Sequence, residues 1–221
     1  MTNTLAQTPV ESRVALVEAM VRLEHTGLNT GSAGNASARM ARDGMLITPS
    51  GVGAATLAAD SIVALGMDGE VVTAGLVPSS EWRMHRDIYR ARPDINAIVH
   101  THSCFATALA CLRRDIPAFH YMVAIAGGDS IRCARYATFG TQALSEAALD
   151  AIEGRMACLL ANHGVLALGS SPAKAVALAV EVENLARQYT AALSVGDPVV
   201  LGDDEMRDVM EKFKTYGQRI D

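Results

Sequence analysis

Two pairs of short apolar segments, each joined by an Asp-Gly turn, constrain the fold of this chain more than any other feature. The pairs are residues 36–40 and 44–50 around Asp43-Gly44, and residues 61–65 and 70–74 around Asp68-Gly69. An Asp-Gly pair between two strand-like segments is typical of a tight β-hairpin, whose strands are antiparallel. We therefore predict a central sheet that is mixed or mostly antiparallel.

Helices are predicted around these strands. Apolar residues at helical spacing, with capping residues at several starts, mark residues 8–27, 79–92, 104–114, 141–154, 170–193 and 203–217. Thr8, Thr141 and Ser171 are the predicted N-caps. Further strands are predicted at residues 95–102 and in two runs within 156–169. Because no repeat or linker separates these elements, we predict one α/β domain over residues 1–221, with helices flanking the sheet.

The composition argues against several classes of function. The chain of 221 residues has a net charge of −5 and no basic excess, so we do not expect it to bind nucleic acid or an anionic membrane. Residues 1–13 lack the cationic start and apolar core of a signal peptide, and no apolar run reaches the roughly 18 residues of a membrane span. The four cysteines form no CxxC pair, so we expect buried thiols in a soluble, cytoplasmic protein.

Two histidines in one predicted strand are the first candidate site. His100 and His102 are two positions apart, so their side chains point to the same face of the strand. Two imidazoles under about 7 Å apart can bind one metal ion, or they can be ordinary hydrogen-bonded histidines. His163 lies in a predicted turn between Asn162 and Gly164 and offers a third imidazole. Three imidazoles with a fourth, exchangeable position are typical of a catalytic zinc site.

Glu81 and several small polar residues complete the candidate site. Glu81 begins a predicted helix, where the helix dipole also favours an acid, so the sequence alone leaves its contact with the histidines open. The segments 31–37 and 48–51, together with Ser79 and Ser80, combine glycines with hydroxyl and amide side chains. Such segments can bind a phosphate through exposed N–H groups, or they can be ordinary turns. No P-loop or G-x-G-x-x-G sequence is present, so nucleotide binding is not indicated.

The chain resembles the class II aldolase/adducin family. The resemblance runs from about residue 10 to the C-terminus and is carried by TGLNTGSAGNAS, MLITPSG, PSSEWRMHRDIYRARPDINAIVHTHS, HYMVAIAGGDSIRCARYATFGT, ANHGVLALG and EKFKTYGQRI. It implies an α/β fold around a mostly antiparallel sheet, and a homotetramer with active sites at subunit interfaces. It also implies one divalent metal ion per chain, most often Zn²⁺.

The resemblance also implies roles for individual residues. His100, His102 and His163 are the implied metal ligands, and Glu81 is the implied catalytic base that also contacts the resting metal. Tyr121 is implied to be a catalytic residue on the aldehyde side of a neighbouring subunit's site. The implied phosphate pocket consists of Asn35, Ser50, Gly51, Ser79 and Ser80.

The implied reaction is the reversible cleavage of a ketose 1-phosphate to dihydroxyacetone phosphate and an aldehyde, through an enediolate that the metal stabilises. The motifs are most similar to those of members that cleave L-fuculose 1-phosphate, which is the favoured substrate. The alternatives are an aldolase or dehydratase for 5-deoxyribulose or methylthioribulose 1-phosphate, a C4 epimerase of ribulose 5-phosphate, and a non-catalytic, adducin-like binding module. No lysine Schiff base is expected, because the three lysines all lie in predicted helical segments: Lys174, Lys212 and Lys214.

Overall fold

A seven-stranded sheet forms the centre of the fold. The computed structural model describes residues 10–40, 44–73 and 75–213. Its strands are β1 (Asn35–Met40), β2 (Gly44–Ile47), β3 (Val63–Gly66), β4 (Ala97–Thr101), β5 (Cys133–Ala134), β6 (Ala157–Leu160) and β7 (Gly164–Gly169). Their order across the sheet is β3-β2-β1-β4-β7-β6-β5. Neighbouring strands are antiparallel except β5 and β6, so the predicted mixed, mostly antiparallel sheet is confirmed.

Helices cover both faces of the sheet. They are α1 (Val10–His25), α2 (Trp82–Ala91), α3 (Cys104–Cys111), α4 (Gln142–Ile152), α5 (Pro172–Val195) and α6 (Asp203–Phe213). Within the described residues, three 3₁₀-helices that the sequence did not predict span Ala54–Thr56, Ala59–Ser61 and Tyr121–Ala126. Helices α1, α3 and α5 share one apolar core with the sheet, and α2 and α4 share another on the opposite face. No helix in the described ranges is long and apolar enough to cross a membrane.

The alternation of side chains along β4 decides which face carries the predicted histidines. Ala97 and Val99 belong to the core under α1, α3 and α5, whereas Ile98 belongs to the core under α2 and α4. Since side chains alternate with a period of two, His100 points to the same face as Ile98. In register, His100 lies between Asn35 of β1 and Leu166 of β7. Near its C-terminal end, the central strand β4 therefore places a candidate metal ligand on the α2 face.

Helix starts follow the predicted capping residues wherever the structure describes them. The Thr141 hydroxyl accepts a hydrogen bond from the Leu144 N–H at the start of α4, and the Ser171 hydroxyl accepts one from the Lys174 N–H at the start of α5. The predicted cap Thr8 and the turn residue Asp43 lie outside the described residues. So does the C-terminal part of the last predicted helix, whose described part ends at Phe213.

The second predicted hairpin is only half formed. Strand β3 pairs with β2, but residues 70–73 meet the backbone of β3 through no more than the Leu65–Val71 bridge and two hydrogen bonds, from the Gly66 N–H to the Glu70 carbonyl and from the Val72 N–H to the Ala64 carbonyl. The Ala64 N–H donates to the Thr73 hydroxyl, at 2.9 Å, so the hydrogen bond that would extend the ladder goes to a side chain. A competing side-chain acceptor of this kind interrupts strand pairing.

The prediction of four buried thiols is wrong for three of the cysteines. Cys158 is buried, Cys133 is half-buried, and Cys104 and Cys111 are exposed. The last two are seven positions apart on α3 and share its outward face, because Ala106, Leu109 and Ala110 provide the inward face of that helix.

Candidate metal and active site

Three histidines from two neighbouring strand ends meet at one point. His100 and His102 are at the C-terminal end of β4, and His163 lies in the turn between β6 and β7. One nitrogen of each ring lies within 4.8 Å of the others, and the Nε2 atoms of His100 and His102 are 2.9 Å apart. The predicted convergence of three imidazoles is therefore present in the structure.

Burial keeps His100 and His163 neutral, which is the form that binds metals. Burial, reinforced by His102, lowers the pKa of His100 to about 3. Burial and then His100 lower the pKa of His163 to about 4. The Nδ1–H of His100 donates to the Val165 carbonyl at 2.9 Å, so the lone pair of its neutral ring is on Nε2, toward the other histidines.

The turn at residues 162–164 requires glycine at position 164 and favours asparagine at position 162. A Cβ atom on Gly164 would lie 2.3 Å from the Thr101 carbonyl oxygen and 3.0 Å from the His102 ring. Asn162 has a left-handed backbone, with φ of +54°, a conformation that asparagine tolerates better than most residues. Its N–H donates to the Ala110 carbonyl, and its side-chain oxygen accepts from Arg113. The end of α3 thus holds the turn that carries His163.

Glu81 is the fourth member of the cluster. It is the residue before α2, but its side chain makes no capping hydrogen bond and is buried. Its Oε2 atom lies 3.2 Å from His100 Nε2 and accepts a hydrogen bond from the Asn35 amide at 2.9 Å. Its Oε1 atom lies 3.4 Å from His163 Nε2. The alternative that Glu81 serves only as a helix-start acid does not explain this orientation.

The four side chains fit a divalent metal. In a tetrahedral zinc site with bonds of about 2.0–2.1 Å, neighbouring ligand atoms lie roughly 3.3–3.4 Å apart. The contacts of Glu81 with two histidines, at 3.2 and 3.4 Å, match that spacing. Three imidazoles and a carboxylate suit Zn²⁺ and other late divalent ions. His100, His102 and His163 could therefore hold a metal ion, with Glu81 beside it.

A cavity of about 380 Å³ opens on this cluster. His102, His163 and Glu81 line it together with all five residues of the predicted phosphate pocket, which are Asn35, Ser50, Gly51, Ser79 and Ser80. No lysine or arginine is among the described residues that line it, so an anion here would depend on hydroxyl, amide and backbone N–H groups. Ser79 and Ser80 also precede α2, whose N-terminus favours negative charge.

Two aromatic side chains that the sequence did not assign to the site also line the cavity. Tyr136 and Phe139, in the loop after β5, are more than half exposed although they are large. Their segment is part of a motif that resembles the family, but its spacing alone gives no sign of a cavity wall. Gly140 brings this loop against the serines, because a Cβ atom there would lie 3.0 Å from the Ser80 carbonyl.

Tyr121 is not in the cavity of its own chain. It begins the 3₁₀-helix Tyr121–Ala126, its ring is 49% exposed, and it stacks against His120 at 4.7 Å. Its predicted role requires a second subunit, so that role stays a prediction.

The matching family profile, described as Class II Aldolase and Adducin N-terminal domain, covers residues 14–190. The chain belongs to this family. A relative from Rhodospirillum rubrum, named 5-methylthioribulose-1-phosphate/5-deoxyribulose-1-phosphate aldolase, is 56% identical over 205 residues, or 93% of this chain and 92% of the relative. The L-fuculose phosphate aldolase of Escherichia coli K12 is 49% identical over 207 residues, or 93% and 95% of the two chains.

A solved structure confirms the architecture. A structure titled L-fuculose 1-phosphate aldolase superposes with a TM-score of 0.91 at 43% identity and covers 94% of this chain and 98% of its own. The protein is therefore a class II aldolase in sequence and in fold.

Proposed function

We propose that the protein is a metal-dependent aldolase that cleaves a ketose 1-phosphate reversibly to dihydroxyacetone phosphate and an aldehyde. The observation that carries this proposal is that one cavity brings both parts of the site together: three histidines and a buried carboxylate lie beside a rim of serine, asparagine and glycine residues. A sugar phosphate needs both parts: a cluster for its reacting oxygens and an anion site for its phosphate.

The metal that best suits the donor set is Zn²⁺, one per chain, held by His100, His102 and His163 with Glu81 beside it. When bound, such an ion supplies a Lewis acid for the negative charge that develops as the C3–C4 bond breaks, a contribution of several kcal/mol in order of magnitude.

The phosphate end orients the substrate. The hydroxyl groups of Ser50, Ser79 and Ser80, the Asn35 amide and the turn at Gly51 surround the part of the cavity beside the α2 N-terminus. Gly51 has φ of +72° and an open surface where its Cβ would be, so the backbone there is exposed to a ligand. Binding the phosphate at this end fixes the distance from it to the reacting carbons and lowers the entropic part of the barrier.

Glu81 is the base in this proposal. Its carboxylate is buried and next to the histidines, so it can take a proton from the hydroxymethyl carbon of dihydroxyacetone phosphate and return it. In the cleavage direction the same carboxyl group protonates that carbon of the enediolate. Tyr121 of a neighbouring subunit handles the proton on the C4 oxygen, so activity requires an oligomer, and the assembly we propose is a homotetramer with sites at the subunit interfaces.

The aromatic wall favours a substrate whose far end is apolar. Tyr136 and Phe139 leave large apolar surfaces exposed in the cavity. L-Fuculose 1-phosphate and 5-deoxyribulose 1-phosphate end in a methyl group, and 5-methylthioribulose 1-phosphate ends in a methylthio group. The resemblance favoured L-fuculose 1-phosphate, whereas the higher identity to the Rhodospirillum rubrum relative favours the two pentulose phosphates.

A substrate panel tests the proposal. Purified protein loaded with Zn²⁺ is incubated with the three ketose 1-phosphates and with ribulose 5-phosphate, and dihydroxyacetone phosphate is measured by coupled reduction. We expect cleavage of at least one ketose 1-phosphate, and the ratios of kcat/KM rank the substrates. Epimerisation of ribulose 5-phosphate without cleavage would contradict an aldolase, and inactivity toward the whole panel with no bound metal would favour a non-catalytic, adducin-like binding module.

A further inference from the structure

A chain of buried polar side chains runs behind Glu81 between β1 and α2. His85 follows Glu81 by four residues and Tyr89 follows His85 by four, so the three lie on one face of α2. Ser37 of β1 lies opposite them: its hydroxyl is 2.6 Å from His85 Nδ1 and 2.8 Å from the Tyr89 hydroxyl. His85 and Ser37 have no exposed surface, and Tyr89 is 1% exposed.

Counting donors and acceptors fixes the direction of the hydrogen bonds between Tyr89, Ser37 and His85. Burial lowers the pKa of His85 to about 3, so the ring is neutral and carries one proton. If Tyr89 donates to Ser37 and Ser37 donates to Nδ1, both hydroxyl protons are used and the ring proton is on Nε2. In the reverse direction the Tyr89 hydroxyl proton and the Nε2 lone pair would both lack a partner. The first arrangement leaves fewer buried groups unsatisfied, and each such group costs about 1–3 kcal/mol.

The remaining N–H of His85 is an unpaired donor in the protein interior. Nε2 is fully buried and has no hydrogen-bond partner among the described residues. The Oε1 atom of Glu81 is also buried and lacks a hydrogen-bond donor. The Glu81 charge acts on the His85 ring, and the two residues are one helical turn apart on the same face. A buried donor and a buried acceptor that both lack a hydrogen bond and lie one helical turn apart are complementary.

We propose that His85 is a positioning residue that provides a second resting place for the Glu81 carboxylate. When substrate oxygens take the carboxylate's place at the three histidines, the carboxylate turns to the Nε2–H of His85. Ser37 and Tyr89 hold that N–H in the required tautomer. The hydrogen bond keeps the base buried, charged and beside the reacting carbon throughout turnover. This inference rests on the proposed function, because it assigns a role to Glu81 in the aldolase reaction.

Nitrogen-15 NMR of histidine-labelled protein tests the tautomer and the movement separately. In metal-free protein we expect the His85 proton on Nε2, with the signal assigned from its loss in His85→Gln; a proton on Nδ1 would overturn the proposal. In Zn²⁺-loaded protein, dihydroxyacetone phosphate should shift the signals of His100, His102 and His163. The Nε2 proton of His85 should move downfield at the same time, as in a hydrogen bond to a carboxylate.

The two kinds of failure are distinguishable in this experiment. If the three cluster histidines shift and His85 does not, the inference is wrong although the ligand binds. If no histidine signal responds to dihydroxyacetone phosphate or to any ketose 1-phosphate, the proposed function itself fails.

Kinetics of two matched variants separate positioning from packing. His85→Met fills a similar volume without a donor, whereas His85→Gln keeps an N–H donor of similar reach. We expect His85→Met to lower kcat about 10-fold or more with KM within about twofold, and His85→Gln to recover kcat to within about threefold of the original chain. Metal content should be unchanged in both. Equal loss in the two variants, or no loss in His85→Met, would overturn the proposal.

A third variant keeps the test independent of substitutions at His85. Tyr89→Phe removes the hydroxyl proton that orients Ser37 and leaves the cavity lining intact. Ser37 can still donate to Nδ1 in this variant, so we expect the Nε2–H tautomer to persist and kcat to fall by about threefold or less. A proton on Nδ1 in Tyr89→Phe would contradict the assigned direction of the hydrogen bonds.

Discussion

The two faces of the sheet bury side chains of different kinds. Under α1, α3 and α5 the core is made of alanine, valine, leucine, isoleucine and methionine, with Tyr189 at its margin. Under α2 and α4 an apolar core is also present, but it is bordered by buried polar groups along β1 and α2, namely Asn35, Ser37, Glu81, His85 and Asp87. The second face carries Glu81 and adjoins the histidine cluster, whereas the first carries none of these side chains.

Hydrogen bonds to β1 and α4 fix the position and the rotation of α2 relative to the sheet. Arg39 of β1 donates to the carbonyls of Tyr89, Arg92 and Ile95 around the C-terminal end of α2. At the other side of the helix, the Asp87 carboxylate accepts from Ser145 and Gln142 of α4. Hydrogen bonds to charged groups contribute about 1.5–3 kcal/mol each, comparable to a buried leucine, and unlike apolar contacts they fix orientation. The apolar face therefore stabilises the fold, whereas the polar groups stabilise it and also position Glu81.

The largest effect is expected when two metal ligands are removed from the polar face. In a His102→Ala, His163→Ala double variant we expect metal content to fall from about one ion per chain to near zero, and activity with it. Circular dichroism should still show a folded chain, because neither residue belongs to an apolar core. Elemental analysis that finds full occupancy in the folded double variant would remove these residues from the metal site.

Acid should act on the same face through its neutral histidines. Burial lowers the pKa of His85 and His100 to about 3 and of His163 to about 4, against 6.5 in an unfolded chain. As pH falls below 6.5, the unfolded chain takes up protons that the folded chain does not. Stability is therefore fully present above about pH 6.5 and is lost as pH falls toward 3–4, by on the order of 1 kcal/mol per pH unit for each histidine.

Chemical denaturation of metal-free protein between about pH 8 and about pH 5 measures this slope. His85→Gln should have a shallower slope than the original chain, because one of the three linked groups is gone. Stability that stays constant or rises on acidification would show that the histidines are charged in the folded protein.

The sequence predicted the apolar face and the histidine pair better than the polar border. His100 and His102 follow from the two-residue period of a strand, and the caps Thr141 and Ser171 follow from local hydrogen bonding. Glu81 meets the histidines only because α2 packs on β1, through a contact with Asn35 that spans 46 residues of sequence. Packing at that distance leaves no periodic pattern, and the aromatic wall of Tyr136 and Phe139 was missed for the same reason.

A substitution on the apolar face should lower stability but leave metal content and activity unchanged, the opposite of what is expected for the metal ligands. Leu185 of α5 is fully buried in the core under α1, α3 and α5. Leu185→Ala should lower the free energy of unfolding by about 2–5 kcal/mol, from lost burial and the cavity left behind. Metal content and kcat per folded molecule should not change. Leu185→Met, which conserves volume, is the control and should cost under about 1.5 kcal/mol. A specific loss of kcat in Leu185→Ala would mean that the two faces are coupled.

Glu81→Gln separates the base from the fold within the polar face. Gln keeps an oxygen that can accept from Asn35, so we expect the free energy of unfolding to change by on the order of 1 kcal/mol or less. An amide cannot take up and return a proton near neutral pH, so turnover should fall roughly 10²-fold or more. Most of the metal should remain on the three histidines. Proton NMR in deuterated water follows exchange at the hydroxymethyl carbon of dihydroxyacetone phosphate, and exchange at the original rate would assign the base to another group.

Tyr121 offers the smallest and most specific test, because it lies outside the cavity of its own chain. Its 3₁₀-helix packs on α5 and α6, away from its own cavity, and its ring is exposed. If it serves a neighbouring site, the region built on the apolar side of one subunit completes the polar site of another.

Tyr121→Phe keeps the ring and loses the proton donor, so metal content and assembly should persist while cleavage slows by about 10-fold. Exchange at dihydroxyacetone phosphate, which needs no aldehyde, should be nearly unaffected. Light scattering under assay conditions measures the oligomeric state, and a fully active monomer would be incompatible with a shared site.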